Sequence, residues 1–221
     1  MVSQGHESGG NLTMPLKIYG VLRSRATRPV WTAMEMGLEF ERIPVIQAYR
    51  LKDPAAPDAP LNTASPSFRA INPNGLIPSI EDDGFILHES LAISLYLARK
   101  HGGPLAPADA REEGLAAMWS LWGMGIEADC LAIVQKRDPE AAAGRLRAPF
   151  GVLDAALKQE GGHLVGGRFT VADINLAEVI RYAQPATALF EENQAVQAWI
   201  TACQSRPAFR AMMKEREAEP A

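Results

Sequence analysis

Two hydrophobic rhythms divide the chain near residue 103. Before it, apolar residues come in short runs bounded by Gly, Pro and Asp; after residue 107 they recur every three or four positions over long stretches. The first pattern reads as strands and the second as amphipathic helices. Leu16 to Gly20 (LKIYG) is a first strand and Phe40 to Ile46 (FERIPVI) a second. Between them a helix is predicted from Arg28 to Met36, with Thr27 as N-cap, Pro29 in the tolerated first turn and Gly37 as the stop. Strand, helix and strand within about 30 residues form a βαβ unit, so these two strands should be parallel.

Five prolines between residues 44 and 66 rule out regular structure there, apart from a short helix near Phe68. Residues 78–88 hold two strands joined at Asp82-Asp83-Gly84, a hairpin signal, and a helix follows from Glu89 to Lys100. Beyond Pro107 only helical segments are predicted, at 108–136, 139–160, 171–183, 193–205 and 207–217, with a kink at Pro149. The expected organisation is a polar tail over 1–14, an α/β domain over 15–103 and an all-helical domain over 107–217.

Charge and cysteine content narrow the partners. The 221 residues carry 22 Lys and Arg against 26 Asp and Glu, which argues against nucleic acid or an anionic membrane as the main partner. No unbroken apolar run approaches the 18 or so residues of a membrane span. Residues 1–13 lack the apolar stretch of a signal peptide. Cys130 and Cys203 form no CxxC, so a disulfide framework or cysteine-ligated zinc is not expected, and a reducing, cytoplasmic compartment fits. His6, His88, His101 and His163 have no ligand spacing and no expected carboxylate partners, and no metal site is expected.

Two polar pairs sit where helices begin. Ser90, after Glu89, opens a helix and can act as a cap or as part of an anion site, since a helix N-terminus offers free N–H groups. Thr170-Val-Ala-Asp173 is a capping box with Asp in place of the usual Glu, a folding element rather than a catalytic one.

Four passages resemble the cytosolic glutathione transferase family: SRATRPVWTAMEMGLEFE, INPNGLIPSIEDDGFILHES, LVGGRFTVADINLAEV and AWITACQSRPAF. Together they span roughly residues 15–217, and the second is the most specific. The resemblance implies a thioredoxin-like N-terminal domain, an all-α C-terminal domain and a homodimer. It implies glutathione as co-substrate, with no metal. It places a cis bond before Pro78, the backbone of Ile77 on the cysteinyl part of glutathione, and Glu89 and Ser90 on the γ-glutamyl group. Lys52, with Arg50 as close, is the expected partner of the glycine carboxylate.

The thiol of glutathione has a pKa near ~8.5 and is only a few per cent ionised at pH 7. One hydrogen bond to the thiolate, worth about 1.5–3 kcal/mol, lowers that pKa by roughly 1–2 units. SRATR resembles the serine-type (phi and theta-like) segment in which a serine holds the thiolate, which selects Ser24; Tyr19 and Arg25 are the alternatives. The loop contains no cysteine, unlike the thiol-transferase branch of the family. An electrophile pocket is expected between the domains, lined by Leu22 and by Met118 and Trp122 of one long helix.

Overall fold

The computed structural model describes residues 15–220, so the expected N-terminal tail and His6 lie outside the described residues. Strand β1 (Leu16–Tyr19), helix α1 (Thr27–Glu35) and strand β2 (Phe40–Ile43) form the βαβ unit, with β1 and β2 parallel and Leu16 opposite Phe40. β2 ends three residues earlier than predicted. Pro44 has no N–H for the ladder, and Ile46 makes only a lone bridge to Asn62. The proline-rich stretch holds a 3-10 turn at Ala48–Arg50 and the short helix α2 (Pro66–Ile71).

Strands β3 (Ser79–Asp82) and β4 (Phe85–His88) form the hairpin, turning through Asp83 and Gly84 at φ +51° and +80°. Two consecutive positive φ values match the twist of the flanking strands, which is why Asp-Gly suits this turn. The mixed sheet has the order β2-β1-β3-β4, with β3 antiparallel to both neighbours. Helix α3 (Ser90–His101) closes the first domain.

Helices α4 (Ala110–Val134), α5 (Pro139–Gln159), α6 (Val171–Ile180), α7 (Thr187–Glu192), α8 (Gln194–Ser205) and α9 (Pro207–Ala218) build the rest. α5 runs through Pro149 as one helix. Ala142, Leu146, Phe150, Leu153 and Leu157 form a buried stripe that anchors both sides of the proline. α7 has no counterpart in the sequence reading; Phe190 holds it in place by packing edge-on against Phe150 at 5.2 Å. By length and composition alone α4 is long and apolar enough to cross a membrane. In this fold it is a core helix carrying a buried, ion-paired Glu127.

One core runs through both domains, and α1 is its pivot. Trp31 is fully buried and meets Phe209 of α9 edge-on at 4.8 Å. Thr27 of α1 donates to the fully buried Glu178 of α6. Asn175 of α6 donates to the Leu91 carbonyl of α3 and to Ser120 of α4, tying the helical domain to the first. The cleft between the domains is therefore walled by elements locked to a common core.

Candidate functional site

The loop from Val21 to Ala26 joins β1 to α1 and places Ser24 at the domain boundary. The Ser24 hydroxyl donates to the Val21 carbonyl at 2.6 Å and accepts from the Ala26 N–H at 3.0 Å. This corrects the assignment of Thr27 as N-cap. Thr27 is the first helical residue, its hydroxyl drawn to Glu178, and Ser24 satisfies the free N–H ahead of the helix instead. Ser24 thus arrives pre-positioned, but its single proton must swing away from Val21 before it can serve an anion in the cleft.

A cavity of about 200 Å³ lies beside this loop, lined by Arg25, Arg28, Asn72, Leu76, Ile77, Pro78, Glu89, Ser90, Met124 and Glu127. Its floor is a charged network. Arg28 is fully buried and donates to the Ser90 hydroxyl at 2.9 Å and to Glu127, while Arg25 reaches the same Glu127 oxygen at 2.8 Å. Burial alone would push the Glu127 carboxyl up; the charges of Arg28 and Arg25 outweigh it and hold the group below its ordinary value. Glu89 sits at φ +70° just before α3, a left-handed conformation that costs a non-glycine residue about 1–3 kcal/mol. The Ile77–Pro78 bond is cis. Ahead of it Asn72 donates to the Leu76 carbonyl at 2.8 Å and to Ser79 at 3.1 Å. Gly75 is obligatory there: its φ is +60°, and a Cβ would fall 2.6 Å from the Thr63 carbonyl oxygen.

Arg25, Leu76 and Ile77 also line a second cavity of about 620 Å³, so the two adjoin along these residues. Ser24 opens onto this larger part, together with Gln47, Tyr49 and Arg50 of the proline-rich loop. Its opposite wall is helical: Leu131, Val134 and Gln135 at the end of α4, Arg181 and Tyr182 after α6, and Arg216 of α9.

Several residues expected here are elsewhere. Leu22 is fully buried in the core. Met118 faces solvent, and Trp122 packs edge-on against Trp119 at 5.3 Å. Trp122 and Leu131 are nine residues apart, about 180° out of phase at roughly 100° per residue, so the cleft uses the other face of α4. Lys52 is exposed and outside the cleft lining; Arg50 is within it. Tyr19 is buried against Phe68, and its hydroxyl donates to Glu81 at 2.9 Å. Burial first, then that hydrogen bond, push its pKa up to about 12, so it neither lines the cleft nor ionises near neutrality. Arg28, Glu127 and the helical wall were not assigned from sequence. Arg28 was legible only as a helix start, and Glu127 lies about a hundred residues from its partners.

Cys130, Cys203, His163 and the Thr170–Asp173 pair lie outside the lining of both cavities. Burial pushes the Cys130 thiol up to about 12, aided by Glu127 and Asp129, and burial raises Cys203 well above the thiol range. Asp173 accepts from the Thr170 N–H at 2.8 Å, completing the capping box, and from Trp199 Nε1 at 2.8 Å. His163 departs from the expectation that no histidine has a carboxylate neighbour: its Nδ1 is 3.8 Å from Asp173.

A mixed four-stranded domain and a helical domain, with a cleft between them floored by a cis-proline turn and a helix start, define the two-domain glutathione-transferase fold. The chain belongs to the glutathione S-transferase family: models of its N-terminal and C-terminal domains match residues 24–100 and 117–207. Glutathione S-transferase 3 of Zea mays is 30% identical over 219 residues, covering 89% of this chain and 92% of that protein. Among solved structures, the theta class glutathione S-transferase of Xanthomonas axonopodis pv. citri with glutathione bound is 29% identical, with a TM-score of 0.68 over 90% of this chain and 97% of that one. Glutathione S-transferase III in its apo form is 28% identical, with a TM-score of 0.75 over 94% and 100%.

Proposed function

We propose that this protein conjugates the thiolate of glutathione to small electrophiles with an apolar body, and that Ser24 stabilises that thiolate. The observation that carries the reading is a pair of adjoining cavities, sharing Arg25, Leu76 and Ile77, one holding Ser24 and the other the cis-proline turn and the Glu89-Ser90 helix start. In this scheme the smaller cavity takes the γ-glutamyl end. Ser90, held by Arg28, binds its carboxylate, and Glu89 accepts from its ammonium. β3 begins only at Ser79, so the main chain at Ile77 stands ahead of the ladder and pairs with the peptide as an added strand would. Arg50, rather than Lys52, meets the glycine carboxylate.

Ser24 turns its O–H from the Val21 carbonyl to the sulfur, and the α1 N-terminus adds its partial positive charge. A hydrogen bond of about 1.5–3 kcal/mol brings the thiol pKa from ~8.5 to roughly 6.5–7.5, enough to ionise a large share at neutral pH. The sulfur–carbon bond then forms as the electrophile's leaving group departs with its electron pair. Leu131 and Val134 supply apolar contact for the electrophile. Arg25 is the alternative thiolate partner, but its pairing with Glu127 spends part of its charge.

Ultraviolet titration of the bound thiolate tests the assignment. The wild type should show a thiol pKa below that of free glutathione and Ser24→Ala a value near that of free glutathione; a mutant value equal to the wild type's sinks the Ser24 role, and absence of glutathione binding sinks the whole reading.

The working unit in this proposal is a cytoplasmic homodimer. Leu115, Met118, Leu121 and Met124 of α4 are exposed, Leu121 to 72%, and Phe85 and Ile86 of β4 are exposed as well. Apolar surface of this kind marks an interaction face. A monomeric mass in solution would refute the dimer.

A further inference from the structure

The larger cavity carries a charge imbalance that a neutral electrophile leaves unused. Five arginines line it, Arg23, Arg25, Arg50, Arg181 and Arg216, with no Asp or Glu among the lining residues. Three of them are answered from outside the cavity. Arg25 pairs with Glu127, Arg181 lies 2.9 Å from Glu178, and Arg23 is hydrogen-bonded, its Nε donating to the Glu219 backbone carbonyl and its main-chain N–H to the Glu219 carboxylate. Arg50 donates to the Arg23 carbonyl and, in the scheme above, meets the glycine carboxylate.

Arg216 is different. Among the described residues it has no hydrogen bond and no ion pair, and its Nε is buried without a partner. Burial first, and then the neighbouring charge of Arg181, pull its guanidinium below the ordinary value, yet an arginine stays charged at neutral pH. Glu178 and Tyr182 offset part of that, but Arg216 has no ion pair of its own, and a desolvated cation beside a second cation gains from an anion brought to it. Its place on the helical wall separates it from Glu89 and Ser90, which line the smaller cavity. Next to it, Tyr182 accepts from Arg181 at 3.2 Å, which leaves the phenol proton to donate to the same anion.

We infer that the electrophile this protein takes bears a carboxylate, and that Arg216, with Arg181 and Tyr182 beside it, is the residue that selects for it. The inference rests on the glutathione-transferase reading and names the acceptor class for the same cleft. Leu131 and Val134 contact the apolar body, while the carboxylate anchors the far end and takes no part in bond making.

The test is calorimetric binding of S-(4-carboxybenzyl)glutathione and of its uncharged isostere S-(4-carbamoylbenzyl)glutathione to the full-length protein. The wild type should bind the carboxylate at least about ten-fold more tightly, as one charged hydrogen bond provides. Arg216→Gln should bring the ratio close to one, and Arg216→Lys should keep most of it. Equal affinities in the wild type overturn the inference and leave the transferase reading standing; failure of both conjugates to bind overturns both. An Arg216→Gln ratio equal to the wild-type one removes Arg216 from the selection. Should that variant not fold, the wild-type ratio and its fall with added salt decide the matter.

Discussion

In the smaller half of the cleft each arginine has a carboxylate in reach: Arg25 and Arg28 share Glu127, and Arg28 also holds Ser90 in place. In the larger half Arg216 has no such partner, and Ser24 gives its proton to its own loop. The first half pairs both its arginines with one buried carboxylate, although the Arg28 Nε itself is buried without a hydrogen-bond partner. The second holds unsatisfied donors and cationic charge that only a bound molecule completes. The difference is one carboxylate: Glu127 offsets the two arginines of the smaller half, and no Asp or Glu lines the larger half.

The sharpest way to break this contrast is to remove the shared carboxylate. Glu127→Ala would leave the buried Arg28 guanidinium without its counter-charge, and stability should fall by about 3–5 kcal/mol in denaturant unfolding. A loss below about 1 kcal/mol would mean that Arg25, Arg28 and Ser90 hold together without the carboxylate.

Ser24→Ala comes next. Catalytic efficiency with a neutral aryl halide at pH 6.5 should drop roughly ten- to a hundred-fold, matching one lost thiolate hydrogen bond of about 1.5–3 kcal/mol. Folding should change less, since the mutation removes only the bond to the Ala26 N–H and the one to Val21.

Exchanging Arg50 and Lys52 measures a smaller effect. Arg50→Gln should raise the KM for glutathione several-fold, and Lys52→Ala should change it less than about two-fold, because a charge exposed outside the cleft is screened by solvent. The reverse order would return the glycine carboxylate to Lys52.

Acid response is the gentlest probe. Hydrogen bonds from Arg168, then from the Ala108 N–H, hold Glu112 at about 2, down from an ordinary 4.5. A depressed carboxylate stabilises the fold above its unfolded value and loses that contribution as pH falls through the folded one. Thermal melts should therefore decline between about pH 4.5 and 2, and Glu112→Gln should flatten part of that decline; Glu127, also held low, contributes with the same sign.

Much of the first domain was written locally. Alternation in LKIYG, the Asp83-Gly84 turn and the helix start at Ser90 are each decided by neighbouring residues, and they emerged near where the sequence placed them. α7 could not be read the same way, since six residues carry too few apolar positions to show a period, and Phe150 from a distant helix fixes it. Within the cleft, motif residues such as Ile77, Glu89 and Ser90 were legible because one continuous passage carries them. The wall opposite was not. α4 is apolar on more than one face, so its stripe at Met118 and Trp122 looked as eligible as the one at Leu131 and Val134.

The sequence by itself determined the two-domain order, the hairpin, the Thr170–Asp173 capping box and the family, because those depend on short-range geometry and contiguous motifs. Only the tertiary structure decided which face of α4 meets the cleft, that Glu127 neutralises two arginines a hundred positions away, and that Arg216 is left without a hydrogen bond or ion pair among the described residues. Charge balance is a property of neighbours in space, and chain order does not record which carboxylate folding brings beside which guanidinium.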